Sequence, residues 1–227
     1  MNVGKSPIGT ILAIVCLVLL VSSFFLPWWT IEREERSPAV NPVIYVNSTH
    51  DFKLLWVSTY HKDTTLGEPH ERSWDASYWE VEDSALGFHS VIMASMVTLG
   101  IVFIVLFLVL NRLSERKKAY RLIALGLAFA VALLVLGSAA FMNVNLPSAV
   151  GDSGENLEQT LETVLPDIHT FAGTDLNETF ARSVQTTWGP QIGWYAAFVT
   201  SVIMLFSIWF TESRPKTEEE PEEEPED

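Results

Sequence analysis

His61, Asp63, His70 and Glu71 are the residues in this chain whose types and proximity most invite chemistry. Imidazole and carboxylate are zinc donors, but a closed zinc site needs four convergent ligands at a recognisable spacing. The pattern here, H-x-D-x6-H-E, matches none, so these residues read as solvated loop positions and no metal site is expected. His89 lies near the outer end of an apolar run with no acidic partner at that depth, which points to a headgroup or a neighbouring polar group rather than a proton relay. Cys16 is the one cysteine and sits inside an apolar stretch, so an intramolecular disulfide is impossible. Val15 stands before it where a lipoprotein signal wants a small residue. No phosphate loop, nucleophile elbow or polar cysteine nucleophile occurs. The chain therefore reads as non-enzymatic, without catalytic residues or cofactor. Two N-x-[ST] triplets, at Asn47 and Asn177, are the remaining chemical sites, as glycan acceptors that would make this a glycoprotein.

The elements that must position these residues are set by four windows without Asp, Glu, Lys or Arg: 6–31, 84–111, 122–151 and 183–211. Each holds roughly 20 apolar residues, enough to cross a hydrocarbon core of about 30 Å. The expected fold class is membrane α-helical: a four-transmembrane-helix bundle with a small antiparallel β-sheet in the first outer loop and amphipathic helices in the second. The first helix, with a short cytoplasmic amino terminus, takes residues 1–29. The first outer loop takes 30–85, the second helix 86–111, and a basic cytoplasmic turn 112–119. The third helix takes 120–145, the second outer loop 146–190, the fourth helix 191–211, and a disordered acidic cytoplasmic tail 212–227.

Orientation comes from the basic residues. Arg112, Arg116, Lys117, Lys118 and Arg121 cluster in one short turn, and Lys5 precedes the first helix, so both belong in the cytoplasm. Parity then puts both termini inside and both long loops outside a cell membrane. A net charge of −14 resides in loops and tail and argues against nucleic acid as partner. Residues 24–29, FFLPWW, read as the end of a retained helix rather than a signal-peptide cleavage region, because bulky Phe24 and Phe25 follow the small residues at 21–23.

Within the outer loops, TIERE alternates, PVIYVN is β-branched, and DFKLLWVSTY places Phe52, Leu54, Trp56, Ser58 and Tyr60 at period two. NSTHD between them reads as a hairpin turn with Asn47 at its tip, and SYWEVED as a fourth strand. Trp56, Trp74 and Trp79 read as filling the thin core of this sheet or packing on the lipid surface. In the second loop, Leu157, Leu161, Val164 and Leu165 form one helical stripe, opened by Asp152-x-x-Glu155 and stopped by Pro166. Leu176, Phe180 and Val184 form another, opened by Asp175-x-x-Glu178, with Gly189-Pro190 as the break before the fourth span. Trp28, Trp29, Trp188, Trp194 and Tyr195 are expected at headgroup depth. Small residues four apart mark expected helix contacts: Ser90, Ala94 and Thr98, then Ala124, Ala128 and Ala132, then Gly193, Ala197 and Ser201.

This layout resembles the claudin and peripheral-myelin-protein-like tetraspans. Locally, Leu55-Trp56 in FKLLW is similar to the Leu-Trp of the claudin first-loop signature, while its glycine and both cysteines have no counterpart here. The resemblance implies an adhesion, barrier or membrane-organising protein whose outer sheet contacts neighbours; no pore residue is carried over. The expected function is a non-enzymatic multipass protein whose outer cap binds or organises envelope components. Its partners would be the lipid bilayer and other proteins, or a second copy of itself through the outer loops. The alternative is a small transporter or channel subunit, which the absence of intramembrane charge disfavours.

Overall fold

The computed structural model of this chain describes residues 8–37, 44–64, 69–82, 84–113 and 118–212. Lys5, residues 114–117 of the basic turn, and 213–227 of the acidic tail lie outside the described residues. Among the described residues four α-helices and six strands occur in the order α1 (Ile8–Ser22), β1 (Trp29–Ser37), β2 (Ile44–Phe52), β3 (Trp56–Asp63), β4 (His70–Ser77), α2 (Leu86–Leu113), α3 (Lys118–Leu161), β5 (Gly173–Glu178), β6 (Ser183–Pro190) and α4 (Ile192–Glu212).

α1 packs on α2 and α4, and α3 packs on the same two, so the helices close into a ring of neighbours. Apolar residues at helical spacing make that core: Ala13, Cys16 and Leu20 from α1, Val97, Ile104 and Phe107 from α2. Ala124, Ala128 and Ala132 of α3 are buried in it, as are Gly193, Ala197 and Ser201 of α4 and Ser90 and Ala94 of α2. Thr98 differs from expectation and is exposed: the buried face of α2 passes instead through Val97 and Gly100, because 3.6 residues per turn drifts off a strict four-residue repeat. α2 and the stretch Ala119–Leu161 of α3 are long and apolar enough to cross a membrane; Ile8–Ser22 and Ile192–Ile208 are shorter apolar helices.

The strands form one antiparallel sheet in the order β4-β3-β2-β1-β6-β5. The segment between α1 and α2 supplies four strands and that between α3 and α4 supplies two, joined where β1 pairs with β6 from Trp29↔Pro190 to Arg36↔Ser183. The sheet expected of the first loop is present, and four details of it are corrected. NSTHD is not a turn: β2 runs straight through it, and the reversal falls at residues 53–56, closed by Lys53 N–H donating to Trp56 O at 2.9 Å. Asn47 therefore lies exposed along a strand rather than at a tip. The alternation beginning at Phe52 crosses that turn, so Val57 and Thr59 are the buried face of β3, opposite to the face expected from Trp56, Ser58 and Tyr60. The fourth strand is HERSWDAS; SYWE forms a 3-10 turn, because Ser77 and Glu80 make a reciprocal cap that favours a helical turn over extended chain.

The second loop departs further. The stretch 175–184, expected as an amphipathic helix, is a β-hairpin, with β5 paired to β6 from Gly173↔Trp188 to Glu178↔Ser183. Pairing with β1 satisfies the backbone of β6 along its whole length, which outweighs the local helical spacing of Leu176, Phe180 and Val184. The other expected helix exists: α3 runs on past residue 145, through Pro147, to a kink at non-helical Gly154 (φ 43°), and its second segment begins there, two residues beyond the expected Asp152. It ends at Leu161, ahead of Pro166, with Glu162 at φ 51°. α1 ends at Ser22, so Trp28 does not end a helix, and Gly189-Pro190 closes a strand rather than breaking one.

Candidate functional site

The sheet has two unlike faces. Register places Trp29, Phe52, Val57 and Ala76 in one row on the face toward α3, all buried. The next row on that face holds Ile31, His50, Thr59 and Trp74, and the third holds Arg33, Ser48, His61 and Arg72. Moving outward from the helices, the face thus passes from apolar through neutral polar to charged. The end of α3 and residues 162–172 lie over it. Trp29 Nε1 donates to Phe171 O at 2.6 Å, Trp188 Nε1 to Thr170 O at 2.9 Å, and Trp74 Nε1 to Thr160 O at 3.4 Å. Leu157, Leu161 and Ile168 are buried beneath.

Trp28 and Trp29 are wholly buried, which corrects their expected place among headgroups. Trp28 Nε1 donates to Ser23 O at 2.7 Å, and the rings join the helices to the sheet because a buried indole N–H needs a protein acceptor. Trp188 and Trp194 are half-buried; Trp194 donates to Ala139 O at 3.1 Å and stacks on Phe198. Tyr195 is exposed. Sequence reasoning put Phe25 at the lipid interface with the rest of 24–29, left Trp79 between core and lipid surface, and gave no such role to Leu55, Phe88 or Ile192; all five are exposed, Trp79 at 69%.

Beyond the third row the sheet and α3 part to leave a cleft of about 510 Å3. Its sheet wall carries Arg33, Glu35 and His61, with Arg182 from the β5–β6 turn. Its other wall carries Glu155, Glu158 and Gln159, at the i, i+3, i+4 spacing of one face of α3, and Glu162 just beyond the helix end. Arg33 is buried, donates to the carbonyl of Val164, and lies 3.4 Å from Glu35 Oε2. Arg182 Nη2 reaches the same Glu35 oxygen at 2.5 Å. Burial alone would raise the Glu35 carboxyl, but the hydrogen bond and charge of Arg182, with Arg33 behind it, hold it below the ordinary value.

The four residues first considered for metal binding do not converge on a site. His61 Nε2 faces Asp63 at 3.8 Å, Glu71 pairs with Lys62 at 2.6 Å on the opposite face, and His70 opposes Asp63 across the β3–β4 pair. His89 meets Phe141 edge-on at 5.4 Å. His50, which sequence reasoning passed over, is fully buried: its Nδ1 is 3.1 Å from Thr59 Oγ1, and its Nε2 has no partner among the described residues. Burial, helped by the charges of His61 and Arg33, pushes its imidazole down to about 4. Asn47 and Asn177 both stand exposed, on β2 and β5.

No protein-family model matches the chain, and no curated protein matches it at a significant level.

Proposed function

We propose that this chain is a multipass membrane protein, with both termini cytoplasmic, whose outer cap binds or organises other envelope components without catalysing a reaction. The membrane part is supported by the outer surface of the bundle. Every helix turns large apolar side chains away from the core, among them Val18 on α1, Val102 and Val109 on α2, Leu133 on α3, and Phe198 and Phe206 on α4. Only 33% of the most apolar stretch of α2, and 39% of that of α3, is buried within the fold. A soluble core helix would be buried nearly all round, and a soluble surface helix would carry a polar face. Four helices, a larger β-rich first loop and a shorter second support the tetraspan resemblance as architecture.

The observation that carries the binding function is the β5–β6 hairpin. Among the described residues β5 has a strand on one side only, and five of its six residues are exposed. At the hairpin's end Thr179 and Arg182 close a tight turn that holds Phe180 fully exposed, and Leu176 on β5 is exposed as well. An open edge beside an apolar tip is a surface that proteins otherwise cover or charge, and it suits strand addition or an aromatic anchor. A photo-crosslinking phenylalanine analogue at position 180, activated in native membranes, is expected to capture a discrete envelope protein or a second copy of the chain. The same analogue at position 60, on the opposite arm of the sheet, is not. Equal, diffuse crosslinking from both positions would sink the assignment. The transporter alternative is the weaker reading: Thr200 and Ser201, buried between the helices, donate to carbonyls of their own helix.

A further inference from the structure

We infer that the cleft between the sheet and the end of α3 binds a small zwitterion, one joining a primary ammonium to a carboxylate or phosphate. The two walls differ in charge. On the sheet wall two guanidiniums, Arg33 and Arg182, share the single carboxylate of Glu35, which leaves one positive charge in excess beside His61. On the helix wall Glu162 is offset by Arg72 at 3.1 Å, and among the described residues neither Glu155 nor Glu158 is in an ion pair. Among the described residues Glu158 accepts from the backbone N–H of Leu165, at 2.6 Å, and from no other donor. One wall therefore has guanidinium N–H donors in excess and the other has carboxylate acceptors in excess. A single ligand answers both when it carries both signs.

Size and rigidity fit the same class. About 510 Å3 lies within the roughly 300–1,000 Å3 of small-molecule pockets. The sheet wall is fixed by strand pairing on both sides of β1. The helix wall is pinned to it, Trp74 donating to Thr160 O and Ser48 hydrogen-bonding Thr163 at 3.4 Å. Walls held in this way do not collapse onto each other, so their charges stay unmatched until a ligand enters. The source of the ligand is also constrained. Arg33 and Glu35 lie four and six residues beyond Trp29 on β1, about 13–20 Å along the strand. A headgroup of the chain's own bilayer does not reach that height, so the ligand is a free solute.

The test uses the full chain in nanodiscs without zwitterionic lipid. O-phosphoethanolamine and an ω-amino acid are titrated by calorimetry and thermal shift, beside inorganic phosphate, acetate and putrescine as single-sign controls. At least one zwitterion is expected to bind in the micromolar to millimolar range and the controls about ten-fold or more weakly, since each meets one wall alone. Arg182→Gln and Glu155→Gln, both on exposed side chains, should each weaken the zwitterion about ten-fold. Glu155→Lys should shift preference toward a dicarboxylate, a change of selectivity that loss of folding does not mimic. Equal binding of controls and zwitterions, no binding of either zwitterion at 10 mM, or unchanged affinity in the variants would each overturn the inference.

Discussion

Acidification should loosen the cap through His50 well before it touches the carboxylates. His50 is wholly buried, and its imidazole is held near 4 against an ordinary 6.5. Above pH 6.5 the folded and unfolded chains both carry it neutral, so it has no effect on stability. Between 6.5 and 4 the unfolded chain takes up a proton that the folded chain refuses, and stability falls as pH falls. At about 1.4 kcal/mol per pH unit the full loss is roughly 3 kcal/mol, complete below pH 4. From pH 7.5 to pH 5 about 2 kcal/mol of it should be visible. Glu35 adds its own loss only below about 4.5, the ordinary value from which its carboxyl is depressed. Thermal unfolding followed by tryptophan fluorescence suits the question, because Trp74 shares the row of His50 and Trp29 the row beneath. His50→Gln keeps a polar group toward Thr59 but cannot charge, so it should lose about 2 kcal/mol less than the native chain over the same pH range. Parallel pH profiles for the two proteins would refute the reasoning.

At Gly193, an added Cβ would lie 2.6 Å from Trp28 Cδ1 and 2.8 Å from Pro27 O, so Gly193→Ala should destabilise the α1–α4 junction by about 1–3 kcal/mol in detergent unfolding. Gly126→Ala, where the new methyl meets nothing within 4 Å, should be neutral or stabilising in the same measurement. Trp29→Phe keeps most of the buried ring but removes the donor to Phe171 O, and should cost about 1–3 kcal/mol in the same assay. Brominated lipids should quench a chain whose sole tryptophan is Trp79 more strongly than one retaining only Trp74, since Trp79 is exposed at the sheet's base. Intact mass from the native host should show glycan at exposed Asn47; an unmodified mass at both sequons would exclude glycosylation there.

What the sequence made legible was whatever local pattern decides. Runs without charge located α2 and α4, and the alternation of TIERE announced β1. The hairpin at 173–190 was illegible because its strands owe their stability to β1, about 150 residues earlier, while Leu176, Phe180 and Val184 happen to sit at helical spacing. The face of β3 was inverted for a simpler reason: a turn of a few residues resets the alternation, and Lys53-Leu54-Leu55 carries no Gly, Pro or Asn to reveal it. The cleft was hidden more deeply. Arg182 was visible as the lone basic residue of its loop, but only the joining of β6 to β1 brings it to Glu35, across 147 positions.

The way β1 and β6 meet has a consequence for how the chain is made. β1 is finished early in synthesis, yet its second neighbour arrives only after α2 and α3 have been produced. For that interval the strand destined for the middle of the sheet is an open edge, liable to recruit any extended segment nearby. Its sequence suits the wait: Glu32, Arg33, Glu34, Glu35 and Arg36 give it the charged character of an edge strand. The final hairpin then inserts beside it and draws the start of α4 against the end of α1, with Gly193 N–H donating to Pro27 O at 2.8 Å. Completion of the cap and closure of the helix ring are therefore one event, and a chain truncated before β6 would be left sticky as well as short.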